Sequence, residues 1–169
     1  KMTELSEIAK KYDLKIIEDA SHAHGAVWRG RPCGTLGDVS VFSLQTDKLA
    51  PAGEGGILLT DNQEIFERAV CVGDMVRMLE LPDAKRRFAA TTFGMKTRMA
   101  SLSAAVARTQ LKRLDERNEK RRDNIVYLSE RLETLGFHTF LAPGHIERVY
   151  FEFIIRDDPD KWNLPVGLL

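Results

Sequence analysis

Cysteine is scarce in this chain: Cys33 and Cys71 are its two thiols, far apart and without metal-ligand spacing. The sequence therefore predicts reduced thiols, as in a cytoplasmic protein. Net charge is lacking as well. Lys plus Arg and Asp plus Glu each count 25, which removes the electrostatic argument for nucleic acid or a membrane surface as partner. No apolar run approaches the ~20 residues a membrane-spanning helix needs, and the first residues are a charged amphipathic segment rather than a secretion signal. Internal repeats and low-complexity stretches are missing too. What remains is an ordinary globular mixture, 43% hydrophobic and 30% charged over 169 residues, enough for one domain with its own core.

Along the chain, Met2, Leu5, Ile8 and Ala9 fall at helical spacing, with Thr3 and Ser6 offering an N-terminal cap. Leu14 to Glu18 is a short apolar run ending in acids and reads as a buried strand. A helix feeding such a strand is half of a βαβ unit and predicts an α/β fold with parallel strands. Asp19 then lies at the carboxyl end of a strand, where such sheets bind ligands. The Gly-, Pro- and Arg-rich stretch 24–38 reads as loop, and 39–44 and 56–60 as strands. A helix is expected over 61–72, with Ile65, Phe66, Ala69 and Val70 facing inward, followed by loop over 73–93. A long helical pattern opens at Ser101, with Ala104, Ala105, Ala107, Leu111 and Leu114 on its apolar side. It continues through Ile125, Leu128 and Leu132 to a stop at Gly136, and 149–155 reads as a strand. The charged stretch between Arg113 and Arg122 is the expected domain boundary. Lys1 enters a helix with no linker before it, and Leu164 to Leu169 ends without a terminal signal, which suggests a piece of a longer protein.

Few residues offer chemistry. Lys48, ahead of Gly53-Glu54-Gly55-Gly56, is placed to bond covalently to an aldehyde cofactor while the glycines admit it closely; taken alone, the plainer reading is an exposed loop lysine. An acid such as Asp19 would keep a pyridine nitrogen protonated, as pyridoxal phosphate (PLP) requires, or would cap a helix or pair with an arginine. His22 is placed to donate to such a ring or to stack on it; the plainer reading is a core or surface histidine. His22 and His24 alternate as metal ligands can, but no third ligand stands at fixed spacing, so no metal is expected. Ser43 is either a phosphate ligand or a turn serine.

The order of these residues is more specific than any one of them. Glu18-Asp19-Ala20-Ser21-His22-Ala23-His24-Gly25-Ala26, Gly34-Thr35-Leu36-Gly37-Asp38, Phe42-Ser43 through Lys48 to Gly53-Glu54-Gly55-Gly56, Gly94-Met95-Lys96-Thr97-Arg98-Met99 and Gln110-Leu111-Lys112-Arg113-Leu114-Asp115 together resemble the DegT/DnrJ/EryC1/StrS aminotransferases. The resemblance implies an α/β fold, the PLP-dependent transferase fold type I of aspartate aminotransferase-like enzymes. Residues 1–114 would form the C-terminal part of the large α/β/α domain, and 115–169 a linking helix and the truncated start of the small α+β domain.

By the same resemblance, Asp19 pairs with the pyridine nitrogen and His22 stands where the family often has glutamine against the phenolic oxygen. Ser43 binds the cofactor phosphate, and Lys48 holds the cofactor aldehyde and shuttles the substrate proton. Lys96 replaces an asparagine that reaches the phosphate of the neighbouring subunit's cofactor, so a homodimer with shared sites is implied. Leu-Gln-Thr-Asp between Ser43 and Lys48 replaces the commoner Phe-His-Pro-Thr and leans toward cyclitol-type members. The implied reaction moves an amino group from glutamate or glutamine to a nucleotide-linked keto sugar or a keto cyclitol. A histidine-bearing deoxysugar dehydratase relative and a non-catalytic regulatory homologue are the alternatives. The family's early phosphate-binding loop lies outside this sequence, so the piece alone is expected to bind cofactor poorly.

Overall fold

In a computed structural model, residues 1–74, 76–86 and 95–156 are described. Gly94, the rest of the 87–93 part of the expected loop and the closing Leu164 to Leu169 lie outside them.

Helix α1 (Met2–Lys11) has Glu4 in its first turn and Lys10 and Lys11 in its last, which complements the helix dipole. The expected cap is not made. Lys1 occupies the cap position without a side-chain bond, and the Ser6 hydroxyl donates back to the Met2 carbonyl at 2.8 Å. The chain turns through Tyr12 and Asp13 into strand β1 (Ile17–Asp19), later than expected and not buried: Leu14 is 56% and Ile17 73% exposed. Leu14 N–H still bonds to Ala9 and Ile16 N–H goes to the Asp38 carboxylate at 2.8 Å, so neither enters the ladder. Among the described residues strand β1 is an edge, with strand β4 (Val39–Ser43) as its neighbour and β5 (Gly56–Leu59) beyond. The β1–β4 pair is parallel, as expected, with Asp19 opposite Val41; β4 and β5 are antiparallel.

The stretch read as loop contains a hairpin, β2 (Val27–Trp28) and β3 (Arg31–Pro32). Arg29 and Gly30, at φ 48° and 75°, give both turn residues the positive φ of a type I′ connection, a geometry that matches strand twist. A strand from far along the chain, β7 (Ile146–Glu147), pairs with the other edge of β2.

Helix α2 (Gln63–Gly73) is capped by Asn62, whose side chain accepts from the Glu64 and Ile65 amides. Val70 is its buried residue and packs with Met78 and Leu81 of the following short turns: a 3₁₀ turn over Arg77–Glu80 and α3 (Asp83–Arg86) lie where loop was expected. The long helical pattern is divided into α4 (Ser101–Leu111) and α5 (Leu114–Thr134), the break falling at Lys112 and Arg113. Ala107 and Leu114 are buried, whereas Leu111 and Ala104 face outward. Strand β6 (His138–Thr139) pairs with β8 (Ile155–Arg156).

The strand expected over 149–155 is reduced to its end. Tyr150 adopts φ 48°, outside the β region, and its buried phenol accepts from Ala142 N–H at 3.0 Å. That kink fixes the direction of Phe151. Val149, just before it, joins Ala26, Leu49, Ala50 and Leu114 in one apolar cluster. A second cluster, Leu44, Ala52 and Ala107, lies under the other end of the same loop. Burying these side chains anchors the segment 44–52 from both ends.

Candidate functional site

Parallel strands β1 and β4 bring their carboxyl ends to one edge of the sheet, and the residues that follow them meet there. Asp19 closes β1. Its carboxylate accepts the Ser21 amide at 3.0 Å, which together with the Ser21 hydroxyl holds its pKa below the usual carboxylate range; the His22 and Lys48 charges add to the effect. An exposed acid that stays ionised beside two bases is the group a protonated ring nitrogen needs.

Ser43 closes β4, and its hydroxyl accepts Gln45 N–H at 3.3 Å, leaving its own hydrogen without an acceptor among the described residues. The loop beyond it folds on itself. Leu44 N–H bonds to Gly55 O at 2.9 Å, Ala52 N–H to Leu44 O at 2.8 Å, and the Thr46 hydroxyl to Gly53 O at 2.9 Å. Lys48 sits at its crest with N–H on Gln45 O at 3.0 Å. The half-buried Lys48 amine is 2.5 Å from His22 Nε2. The His22 imidazole lies parallel to the Phe151 ring, 4.1 Å between centroids at 13°, and Lys48 Nζ stands 4.9 Å from that ring's centroid.

Asp19, His22, Ser43 and Lys48 are thus gathered at one edge. Lys96 is not: it is exposed, next to Thr97, which bonds to Gly73 O at the end of α2, and among the described residues no contact joins it to the other four. Nor do His22 and His24 present themselves as a pair. His24 is 3% exposed beside the Phe42 ring, and among the described residues neither ring nitrogen has a partner of hydrogen-bonding geometry. Burial is the chief cause of its lowered pKa; Lys48 and His22 add to it, while the nearby Ser43 backbone opposes it.

Three features escaped the sequence reading. Phe151 was hidden inside an apparent strand. Asn118, 2% exposed in the charged half of α5, donates to His24 O at 2.9 Å and accepts from Arg121 at 2.9 Å, tying α5 to the loop after Asp19. Gly25 is required there: a Cβ would come within 2.7 Å of the Asn118 amide. Third, the Glu18 carboxylate accepts the Gly34 and Leu36 amides at 2.6 and 2.8 Å and so holds the preceding loop. Glycine is needed at 34 as well, since a Cβ would lie 2.4 Å from the Phe42 ring. No composition or spacing signal marks Phe151 or Asn118.

His24 makes a prediction about pH. The unfolded chain takes up this proton near the ordinary histidine value of about 6.5, whereas the folded chain resists it. The stabilisation is present above that value and is lost as pH falls toward the lowered folded pKa. Thermal unfolding midpoints should decline from about pH 6.5 downward, before the carboxylates Asp19, Asp38 and Glu64, all lowered in the fold, make their own losses below about pH 4. His24→Phe should flatten the upper part of the decline; an unchanged profile would rule out His24 as its source.

The residues fit PLP on their chemistry: an ionised acid for a pyridinium, a free hydroxyl hydrogen for a phosphate oxygen, and an amine held at the same edge. Known proteins point the same way. The sequence model of the DegT/DnrJ/EryC1/StrS aminotransferase family matches residues 1–163. A Streptomyces griseus protein named L-glutamine:scyllo-inosose aminotransferase is 37% identical over 163 residues, covering 90% of this chain and 37% of its own length. The putative L-glutamine:3-amino-2,3-dideoxy-scyllo-inosose aminotransferase of Streptoalloteichus tenebrarius is 35% identical over 161 residues, covering 94% and 38%. The chain therefore spans under two fifths of the length of these relatives. Among solved structures, the aminotransferase TlmJ from Streptoalloteichus hindustanus superposes with a TM-score of 0.78 at 27% identity, over 94% of this chain and 43% of its own. 3-Amino-5-hydroxybenzoic acid synthase does so at 0.72 and 33%, over 87% and 38%. The fold is fold type I of the PLP-dependent transferases, and the chain belongs to the DegT/DnrJ/EryC1/StrS aminotransferase family.

Proposed function

We propose that the protein carrying this chain is a PLP-dependent aminotransferase that moves the amino group of glutamine, or glutamate, to a ketone of a cyclitol or of a nucleotide-linked sugar. The observation that carries this reading is the meeting of the Lys48 amine with His22 at the strand edge where Asp19 stays ionised. The names of the similar proteins favour the cyclitol and glutamine. A lysine at position 48 speaks against the histidine-bearing dehydratase alternative.

PLP, when bound, supplies the electron sink for breaking and forming bonds at the amino-bearing carbon. Asp19 binds and orients it by accepting from the ring nitrogen, and its carboxylate keeps that nitrogen charged. The Ser43 hydroxyl donates to the phosphate. Lys48 would hold the cofactor covalently through Nζ and, when that bond is open, would carry a proton to and from the reacting carbon. His22 steadies that amine through the contact at its Nε2.

In this reading residues 1–114 belong to a large domain and 115–169 to a linking helix and the start of a small one. The enzyme works in the cytoplasm as a homodimer with shared sites. Among the described residues no contact joins the exposed Lys96 to the other four groups, which favours its serving the cofactor of the neighbouring subunit.

The test is direct. Intact protein should, with PLP, L-glutamine and a keto cyclitol such as scyllo-inosose, yield the aminocyclitol by mass spectrometry, and keto sugars should give less. If neither ketone class is aminated with glutamine or glutamate, the reading is wrong.

A further inference from the structure

We propose that Phe151 is a positioning residue: its ring fixes the plane of the His22 imidazole so that Nε2 faces the Lys48 amine and holds it at the strand edge. The proposal rests on the reading of Lys48 as the amine that captures the cofactor aldehyde, and adds a residue to that site.

A histidine side chain turns about a soft terminal torsion, and the contacts around His22 on the described residues are the Phe151 ring and the Lys48 amine. A near-parallel stack at 4.1 Å removes that freedom. Phe151 itself is not free to follow, because it packs on the cluster of Ala26, Leu49, Ala50, Leu114 and Val149, with Tyr150 buried and bonded just before it. The same ring presents its face to Lys48 Nζ at 4.9 Å and keeps the amine within reach of His22. Nε2 accepts from the Lys48 amine in the tautomer that carries its hydrogen on Nδ1.

The test uses the intact protein freed of cofactor. Attachment of PLP to Lys48 is followed by borohydride trapping and peptide mass spectrometry, and the His22 ring protons are followed by NMR. Phe151→Leu keeps apolar volume but removes the ring. It should slow attachment about five-fold, on the scale of one aromatic pair, and move the His22 proton resonances downfield as the ring current is lost. Phe151→Tyr should restore both. In a His22→Gln background, Phe151→Leu should cause no further slowing, since Phe151 acts through the imidazole. Equal slowing in both backgrounds, or His22 resonances that Phe151→Leu leaves in place, would overturn the positioning role. Absence of any PLP on Lys48 in the unmodified protein would instead overturn the cofactor reading, while the His22 resonances still decide whether the stack exists.

Discussion

Lys48→Ala should lower amination by about 10³-fold or more, because one substitution removes both the nucleophile and the proton carrier. It should do so without unfolding the protein. The loop that presents Lys48 is anchored by Leu44, Leu49, Ala50 and Ala52, all buried, and by hydrogen bonds from the Thr46 hydroxyl to the Gly53 carbonyl and from Leu44 N–H to the Gly55 carbonyl; the lysine side chain is not among its supports. Thermal stability is expected to change little, as for most substitutions away from the core. Lys48→Arg is the sharper control. A guanidinium can still stack over Phe151, but it does not give up its proton near neutrality, so activity should be lost equally. Mass spectrometry after borohydride reduction checks both variants, and PLP retained covalently in Lys48→Ala would assign the chemistry to another amine.

Asp19→Asn should reduce turnover on the order of 10²- to 10⁴-fold and leave the fold intact. The carboxamide oxygen can still accept the Ser21 amide, and the site is exposed. What disappears is the charge. A neutral amide cannot hold a pyridine nitrogen protonated, so the loss should fall on kcat more than on KM. Since the Asp19 pKa lies below the usual carboxylate range, the unmodified enzyme should keep this charge at every pH above that range. Normal kinetics in Asp19→Asn would remove the electron-sink role from this residue.

The parallel pair and its carboxyl edge were legible in the sequence because helix, acid-terminated apolar run and second strand follow in the order of a βαβ unit. Burial of β1 was not: an apolar run reports the preference of its side chains, and whether an edge strand is covered depends on what packs against it. The hairpin at 27–32 was obscured by arginine, proline and glycine, which suit loops and type I′ turns alike. At the site, Asp19, His22, Ser43 and Lys48 could be named from order and resemblance, and the structure brings them together. Phe151 could not, because its role depends on a single positive-φ residue, Tyr150, which reverses the expected alternation of faces. Nor could Asn118, a polar residue amid helical charge whose burial is set by a loop 94 residues away.

That separation has a consequence in time. During synthesis Asp19, His22 and Lys48 leave the ribosome first, while Asn118 and Phe151 follow Lys48 by about 70 and 100 residues, or roughly 4–20 s at ordinary elongation rates. The reactive amine is therefore made before the helix that pins its neighbouring loop and before the ring that covers its histidine. A nascent chain halted after α4 should carry an unscreened lysine. Capture of a small aldehyde by stalled chains of increasing length should change in character once residue 151 has emerged.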